Sequence, residues 1–222
     1  MQKFDTAGPV SVVLDIPAGR VRLIASDRGD TTVQVLPSEE SKKRDVKAAQ
    51  QTEVSYADGI VRIVTADASR VLGSSGSLDV TIELPAGSRV EGKAGAAELS
   101  GTGRLGEVVF EGGYRQVELE EVASAHLKVH TGEVRIGRLA GPAQIRNSQG
   151  DITVAEAVTG AVDLRTESGS IAISAAPGTS ATLDAGTLHG RITNTLKNSE
   201  GAAAGLAIKA TTSNGDITAS SL

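Results

Sequence analysis

Cysteine is absent, so disulfides, thiolate nucleophiles and thiolate metal sites are excluded. Tryptophan is absent too, and the 222 residues hold only four aromatic side chains, Phe4, Tyr56, Phe110 and Tyr114. The core must therefore be built from Val, Ile, Leu and Ala, which suits a thin layer between closely stacked strands. The same scarcity removes the stacking platforms on which single-stranded nucleic acid is held. There is no basic block either: the net charge is −5 with both signs interspersed, which argues against a nucleic-acid partner. No apolar run approaches the roughly 20 residues that span a bilayer as a helix. The start, MQKFDTAGPVSVVLDI, has no basic segment followed by a sustained apolar stretch. It does not read as a signal peptide, and the expectation is a cytoplasmic protein with no membrane insertion.

Glycine, by contrast, is plentiful, with 26 residues falling between short apolar runs as turn punctuation does. Five of them anchor a repeat: Gly132 in HTGEVRI, Gly150 in SQGDITV, Gly169 in ESGSIAI, Gly190 in LHGRITN and Gly215 in SNGDITA. Two positions after each stand Val134, Ile152, Ile171, Ile192 and Ile217. Five positions before each stand Leu127, Ile145, Leu164, Ala185 and Ala210, a row that extends upstream to Val108 and Val90. The row thus falls at positions 90, 108, 127, 145, 164, 185 and 210. Its step is nearly constant up to Leu164, and the last two steps grow as turns lengthen at NTLKNSEGAAAG. Within a unit the pattern alternates: Leu127, Val129, Val134 and Ile136 point one way, Lys128, His130, Glu133 and Arg135 the other. Period two means strands with one buried face, and no unit has room for a crossover helix. The fold expected is an all-β repeat β-solenoid, like a parallel β-helix, of about 18–19 residues per coil.

Residues 90–222 carry the regular coils, and residues 1–89 form a less regular β region that continues or caps them as part of one domain. There LDIPAGRVRL and IELPAGSRV read as two copies of one unit with Pro17 and Pro85 matching, and YADGIVRI repeats the spacing around Gly59. SEESKKRDVKAAQQ is a polar insertion, a loop or short exposed helix, and GSSGS at 73–77 a turn. These segments resemble the bacterial β-strand-repeat family grouped as domain of unknown function 4097, labelled adhesins. The Gly150-Asp151-Ile152 and Gly215-Asp216-Ile217 turns, LPAGSRV and LDIPAGRVRL carry the resemblance over nearly the whole chain, and actinobacterial members without a leader are especially similar. It implies an adhesin-like module and brings no catalytic residue with it.

Several motifs invite functional readings. Gly101-Thr102-Gly103-Arg104-Leu105-Gly106 matches a dinucleotide fingerprint, but EVVFEGGY follows it as strand where a helix is required, so it reads as a solenoid turn. The Gly-Asp turns lack the every-nonapeptide repeat of calcium-binding β-rolls, and Arg191 would interrupt a calcium row; Asp is expected there for local turn bonding. His126, His130 and His189 have no partners at metal-ligand spacing and should face solvent. Outward Glu118, Glu120, Arg135, Asp163 and Arg165 are the residues a carbohydrate-cleaving β-helix would use. Inside the stack, Val129, Asn147, Thr166, Thr187 and Thr212 form a row whose Asn and Thr side chains should hydrogen-bond to one another along the axis. The reading is a non-enzymatic structural or interaction module with no catalytic, cofactor or metal residues and a protein or glycan partner. The alternative is a carbohydrate-active enzyme or glycan-binding protein on a β-helix. A solenoid exposes strand edges at its ends. With no cap after Lys209, a homodimer through the C-terminal coil, paired at Ile217, is expected.

Overall fold

The computed structural model describes residues 1–66 and 76–222, so most of the GSSGS turn lies outside the described residues. The chain begins with β1 (Gln2–Asp5), β2 (Ser11–Ser26) and β3 (Asp30–Pro37). Helix α1 (Lys43–Gln50) follows, then β4 (Thr52–Ala57), β5 (Ile60–Thr65) and β6 (Leu78–Pro85). An extended run of 51 residues, β7 (Arg89–Leu139), winds through several coils. After it come β8 (Ala143–Gln149), β9 (Ile152–Ala157), β10 (Gly160–Ser168), β11 (Ile171–Ala175), β12 (Ala181–His189), β13 (Ile192–Thr195), β14 (Leu206–Asn214) and β15 (Ile217–Ser221). The protein is nearly all β and solenoid-like: each coil lays one strand on each of two faces, parallel to its neighbours.

The registers confirm the buried rows. On one face Leu127 pairs with Ile145 and Ile145 with Leu164; on the other Val134 pairs with Ile152 and Ile152 with Ile171. All six are at most 1% exposed. Val, Leu, Ile and Ala from the two faces make up nearly all of this core. Phe110 is the one fully buried aromatic, and it fits because Gly92 opposite has no Cβ, which would lie 2.9 Å from the ring. Phe4 and Tyr56 pack together instead at the N-terminal end, with ring centroids 5.5 Å apart.

The order of the coils differs from the order of the sequence. Leu164 pairs with Ala210, and Ala210 with Ala185; Ile171 pairs with Ile217, and Ile217 with Ile192. Coil 206–221 is thus inserted between coils 160–175 and 181–195. The two long steps at the end of the repeat have this cause. The chain leaves β11, passes over one vacant level, lays down 181–195, and returns through 196–205 to fill the level it skipped. The expected interface at the C-terminal coil is therefore corrected: Ile217 is fully buried between neighbours, and the exposed end of the stack is coil 181–195.

The N-terminal end is permuted in the same way. β2 pairs in parallel with β7 on one side, and with β5 and β6 on the other. Beyond β5 and β6 the pairing turns antiparallel: β4 on β5, β3 on β6, β1 on β3. YADGIVRI is therefore a hairpin rather than another coil, with Asp58 and Gly59 both at positive φ, as tight hairpin turns demand. Pro17 and Pro85 are also not equivalent. Pro17 lies where β2 crosses from the β5 side to the β6 side, and Pro85 where the chain crosses back to Arg89, opposite Ser11. Proline has no backbone N–H and a fixed φ, so Pro-Ala-Gly marks a corner of either kind. The polar insertion forms α1, which buries Ala48 and Asp45 against the cap; the Asp45 carboxylate accepts the Ser77 N–H at 3.0 Å.

Candidate functional site

The alternation that buries one side of each strand projects the other outward, coil after coil, at a strand spacing of about 4.7–4.9 Å. On the face made by β7, β8, β10, β14 and β12, one outward row runs Lys128, Arg146, Arg165, Thr211, Gly186, and the next runs His126, Gln144, Asp163, Lys209, Asp184. Lys128 Nζ lies 2.7 Å from Glu111 and holds that carboxyl below its usual range. Arg146 reaches Asp163 at 3.4 Å. Arg165 and Lys209 make no ion pair among the described residues. A groove of about 480 Å³ opens there, lined by Arg146, Asp163, Arg165, Lys209, Thr211 and Ser213. Positive charge and hydroxyl donors thus share one concave patch, able to hold an acidic group without displacing more than one weak surface pair.

The opposite face carries a second groove, of about 490 Å³, with Glu118, Glu120 and Arg135 among its lining residues. The five outward residues singled out by sequence are therefore divided: Glu118, Glu120 and Arg135 on one face, Asp163 and Arg165 on the other. Glu118 accepts the Gln116 amide at 2.8 Å, Glu120 the Gly103 N–H at 2.7 Å, and Arg135 donates to Glu133 at 2.7 Å. The fingerprint-like glycines sit within β7, where a Cβ on Gly103 would lie 2.0 Å from the Ala25 carbonyl oxygen, and no helix follows. His126, His130 and His189 are exposed. Among the described residues no three His, Asp or Glu side chains converge as metal ligands would. No helix among them is long and apolar enough to cross a membrane.

The Asn/Thr row is internal as expected, but its bonding is different. The side chains do not bond to one another. Thr166 Oγ1 donates to the Gly150 carbonyl at 3.0 Å, Thr212 to Gly169 at 2.9 Å, and Thr187 to Gly215 at 3.0 Å. Asn147 Nδ2 donates to Gly132 at 2.8 Å and Gly150 at 3.1 Å. Each rung thereby ties its strand to the turn of the adjacent coil. The turn glycines permit this contact: a Cβ on Gly169 would stand 2.1 Å from the Gly150 oxygen, and its φ of +152° disfavours any side chain. The aspartates also act between coils rather than locally. Asp151 accepts the Ser170 N–H at 2.7 Å, and Asp216 the Arg191 N–H at 2.8 Å. The Gly-Asp turns are therefore coil-to-coil fasteners. Arg146 and Lys209 were missed as members of the cationic patch, although both occupy outward positions of the same alternation.

A family model described as Toastrack DUF4097 matches residues 11–220. No curated protein matches the chain. Among the solved structures similar along its whole length are two described as adhesion proteins. A "putative adhesin" from Bacteroides fragilis has 13% identity and a TM-score of 0.48, covering 100% of this chain and 95% of the other. A "putative cell adhesion protein" from Clostridium sporogenes has 14% identity and a TM-score of 0.41, covering 100% of this chain and 98% of the other.

Proposed function

We infer, from the premise that the chain belongs to the Toastrack DUF4097 family, that it is a non-enzymatic, adhesin-like interaction module. Its scaffold is a stack of coils of about 18–19 residues each, a repeat that presents the same outward positions at every level. Its partner is an acidic protein segment or acidic glycan received by the Arg146, Arg165 and Lys209 face. The observation that carries this reading is the groove in which Arg165 and Lys209 stand with no ion-pair partner among the described residues, beside Arg146 and the Thr211 hydroxyl. Three cations on successive coils match an extended anionic chain better than a compact ligand. Surface ion pairs are worth only ~0–1 kcal/mol each, so the Arg146 to Asp163 pair is readily exchanged for a partner's carboxylates. The rigid stack holds the charges at fixed spacing and so limits the entropy lost on binding.

The test is binding of the full chain to panels of acidic polysaccharides and acidic peptides at several salt concentrations. Saturable, salt-sensitive binding that is lost in Arg165→Glu/Lys209→Glu is the expected result. No binding, or binding indifferent to the double substitution, overturns the reading. Release of new reducing ends from any polysaccharide, abolished by Glu118→Gln or Glu120→Gln, would make the protein an enzyme instead.

A further inference from the structure

We propose that the open end of the stack, coil 181–195, is a two-fold interface between two copies of this chain. The two ends are not alike. At the N-terminal end β1, β3, β4 and α1 cover the stack with antiparallel strands and a helix. At the other end β12 pairs only with β14, and β13 only with β15, among the described residues. Their outer edges present unpaired backbone donors and acceptors. The core is also cut open there: Ile192 is 45% exposed, whereas Ile217, Ile171 and Ile152 in the same row are at most 1% exposed. Leu183, Ala185 and Leu196 are only partly buried.

The strands of this coil do little to protect their edges; its one Lys or Arg, Arg191, stands in the turn between them and reaches Asp216 at 3.5 Å. Exposed edges are ordinarily defended by Lys, Pro or a covering segment. Ala181–His189 and Ile192–Thr195 contain no Lys, Arg or Pro, and Asp184 is their one carboxylate. The connection 196–205 covers only a corner of this end, where Leu196 packs against the core and the Lys197 N–H donates to Ser221 Oγ. Its hydrogen bonds go to the corner: Lys197 O accepts the Ala181 N–H, and Ser180 Oγ accepts the Ser199 and Glu200 N–H groups.

The shape of this end selects its occupant. Two strand edges flank an apolar interior, about 10 Å apart as packed sheets are. A single extended peptide can pair with one edge only; a second solenoid end pairs with both and covers Ile192. The outer edges at the capped end are those of β1 and β4, shorter than that of β12 and bearing Lys3, Asp5 and Glu53, so they are poor partners for it; head-to-tail stacking is disfavoured and association closes as a dimer. About a two-fold axis crossing both faces, each strand runs antiparallel to its own copy. Centred on Ala185, β12 would set Asp184 opposite Gly186, so no like charges oppose one another. A strand of the length of β12 extends roughly 30 Å, and two packed sheets with their outer side chains are roughly 20 Å across. That gives about 600 Å² per copy and about 1,200 Å² in all, the lower bound for a specific interface.

Light scattering and sedimentation equilibrium on the full chain, from low to high micromolar concentration, test the proposal. The expected mass is twice 22.6 kDa, and Ile192→Asp, which would bury two like charges at the joint, should give a folded monomer. Hydrogen exchange on the wild-type chain gives a second reading that needs no variant: amides of 181–195 should slow as concentration rises, while those of 143–175 should not change. A monomer at all concentrations, a dimer unaffected by Ile192→Asp, assemblies larger than a dimer, or concentration-independent exchange at 181–195 would each overturn it. None of these readouts depends on the acidic-ligand groove.

Discussion

Replacing Thr212 and Thr187 by Val, one at a time, distinguishes the spatial order of the coils from their order in sequence. The substitution keeps the shape of the side chain and removes one donor. In a stack that follows the sequence, Thr212 would sit on the last coil and Thr187 in the interior, so Thr187→Val would cost more. The structure reverses this. Thr212 is 5% exposed and donates to the Gly169 carbonyl at 2.9 Å, enclosed by coils on both sides. Thr187 donates to Gly215 at 3.0 Å from the half-buried end coil, where water can replace it. Removing one partner of a buried hydrogen bond costs about 1–3 kcal/mol. For a chain of this size each 1 kcal/mol moves the melting temperature by about 2–4 °C. Thr212→Val should therefore melt about 2–12 °C below wild type, and Thr187→Val within about 2 °C of it. Urea unfolding followed by circular dichroism, at a concentration where the chain is monomeric, gives the same ranking in free energy. Equal losses, or a larger loss at Thr187, would refute the permuted order.

Three further perturbations test other parts of the framework. Ile171→Asp puts a carboxylate at a 1% exposed position between Ile152 and Ile217 and should abolish cooperative folding, since the several kcal/mol it costs rivals a total of ~5–15 kcal/mol; a wild-type melting curve would show the rows to be out of register. Asn147→Thr should stabilise by about 1 kcal/mol, because the buried Asn147 Oδ1 has no hydrogen-bond partner while a Thr can donate to Gly132 as its neighbours do to theirs; a lower melting temperature would contradict this. In the N-terminal cap, hydrogen bonds from Arg28 at 2.7 Å and then Lys3 at 3.0 Å hold the Asp30 carboxyl well below its ordinary value. A depressed folded value gives stability that is complete above the unfolded value of about 3.9 and is lost as pH falls through it toward the folded value. Melting temperature should be level from pH 7 to about 5 and fall below about 4, and Asp30→Asn should reduce that fall; an identical acid profile for both proteins would remove the cap from the account.

Much of the regular half was legible because period-two burial and a recurring glycine are local properties. Leu127, Ile145 and Leu164 belong to one row whatever the larger order, and reading the near-constant step between them required only the pattern. Coil order is a different kind of information. Ala185 and Ala210 occupy the same position within their coils, so exchanging the two coils leaves every row intact and every periodicity unchanged. Only the longer steps from Leu164 to Ala185 and from Ala185 to Ala210 recorded the detour, and lengthened turns explained them equally well. The N-terminal region was harder for a related reason. Pro-Ala-Gly and the Gly59 spacing report corners and tight turns, which coils and antiparallel hairpins share. The aspartate turns show the same limit at the level of a side chain: the sequence shows Asp after Gly, but its partner lies a coil away.

The permutation has a physical consequence for both ends. In a serial stack the outermost coil is also a chain end, held on one side by pairing and free on the other, so fraying gains the full entropy of a loose tail. Here the coils that begin and end the repeat, 11–26 and 206–221, are each paired on both sides. Of the segments outside them, all but β1, which is held by its pairing with β3, lie between two coils of the chain. Coil 181–195 is anchored at one side by β11 and at the other by β14, and the cap of β3, α1 and β4 is anchored by β2 and β5. A frayed end is then a closed loop, and because loop-closure entropy grows only slowly with length, its return to the stack costs less than recapture of a tail. Both ends share this anchoring, and they differ in how their edges are treated. One end adds antiparallel strands and a helix and packs the half-buried Phe4 and Tyr56 against each other across its outermost strands. The other leaves Ile192 and two bare strand edges outside. The dimer proposed above rests on this difference: the end at coil 181–195 leaves the apolar Ile192 between its strand edges, and a second copy of the same end would cover it.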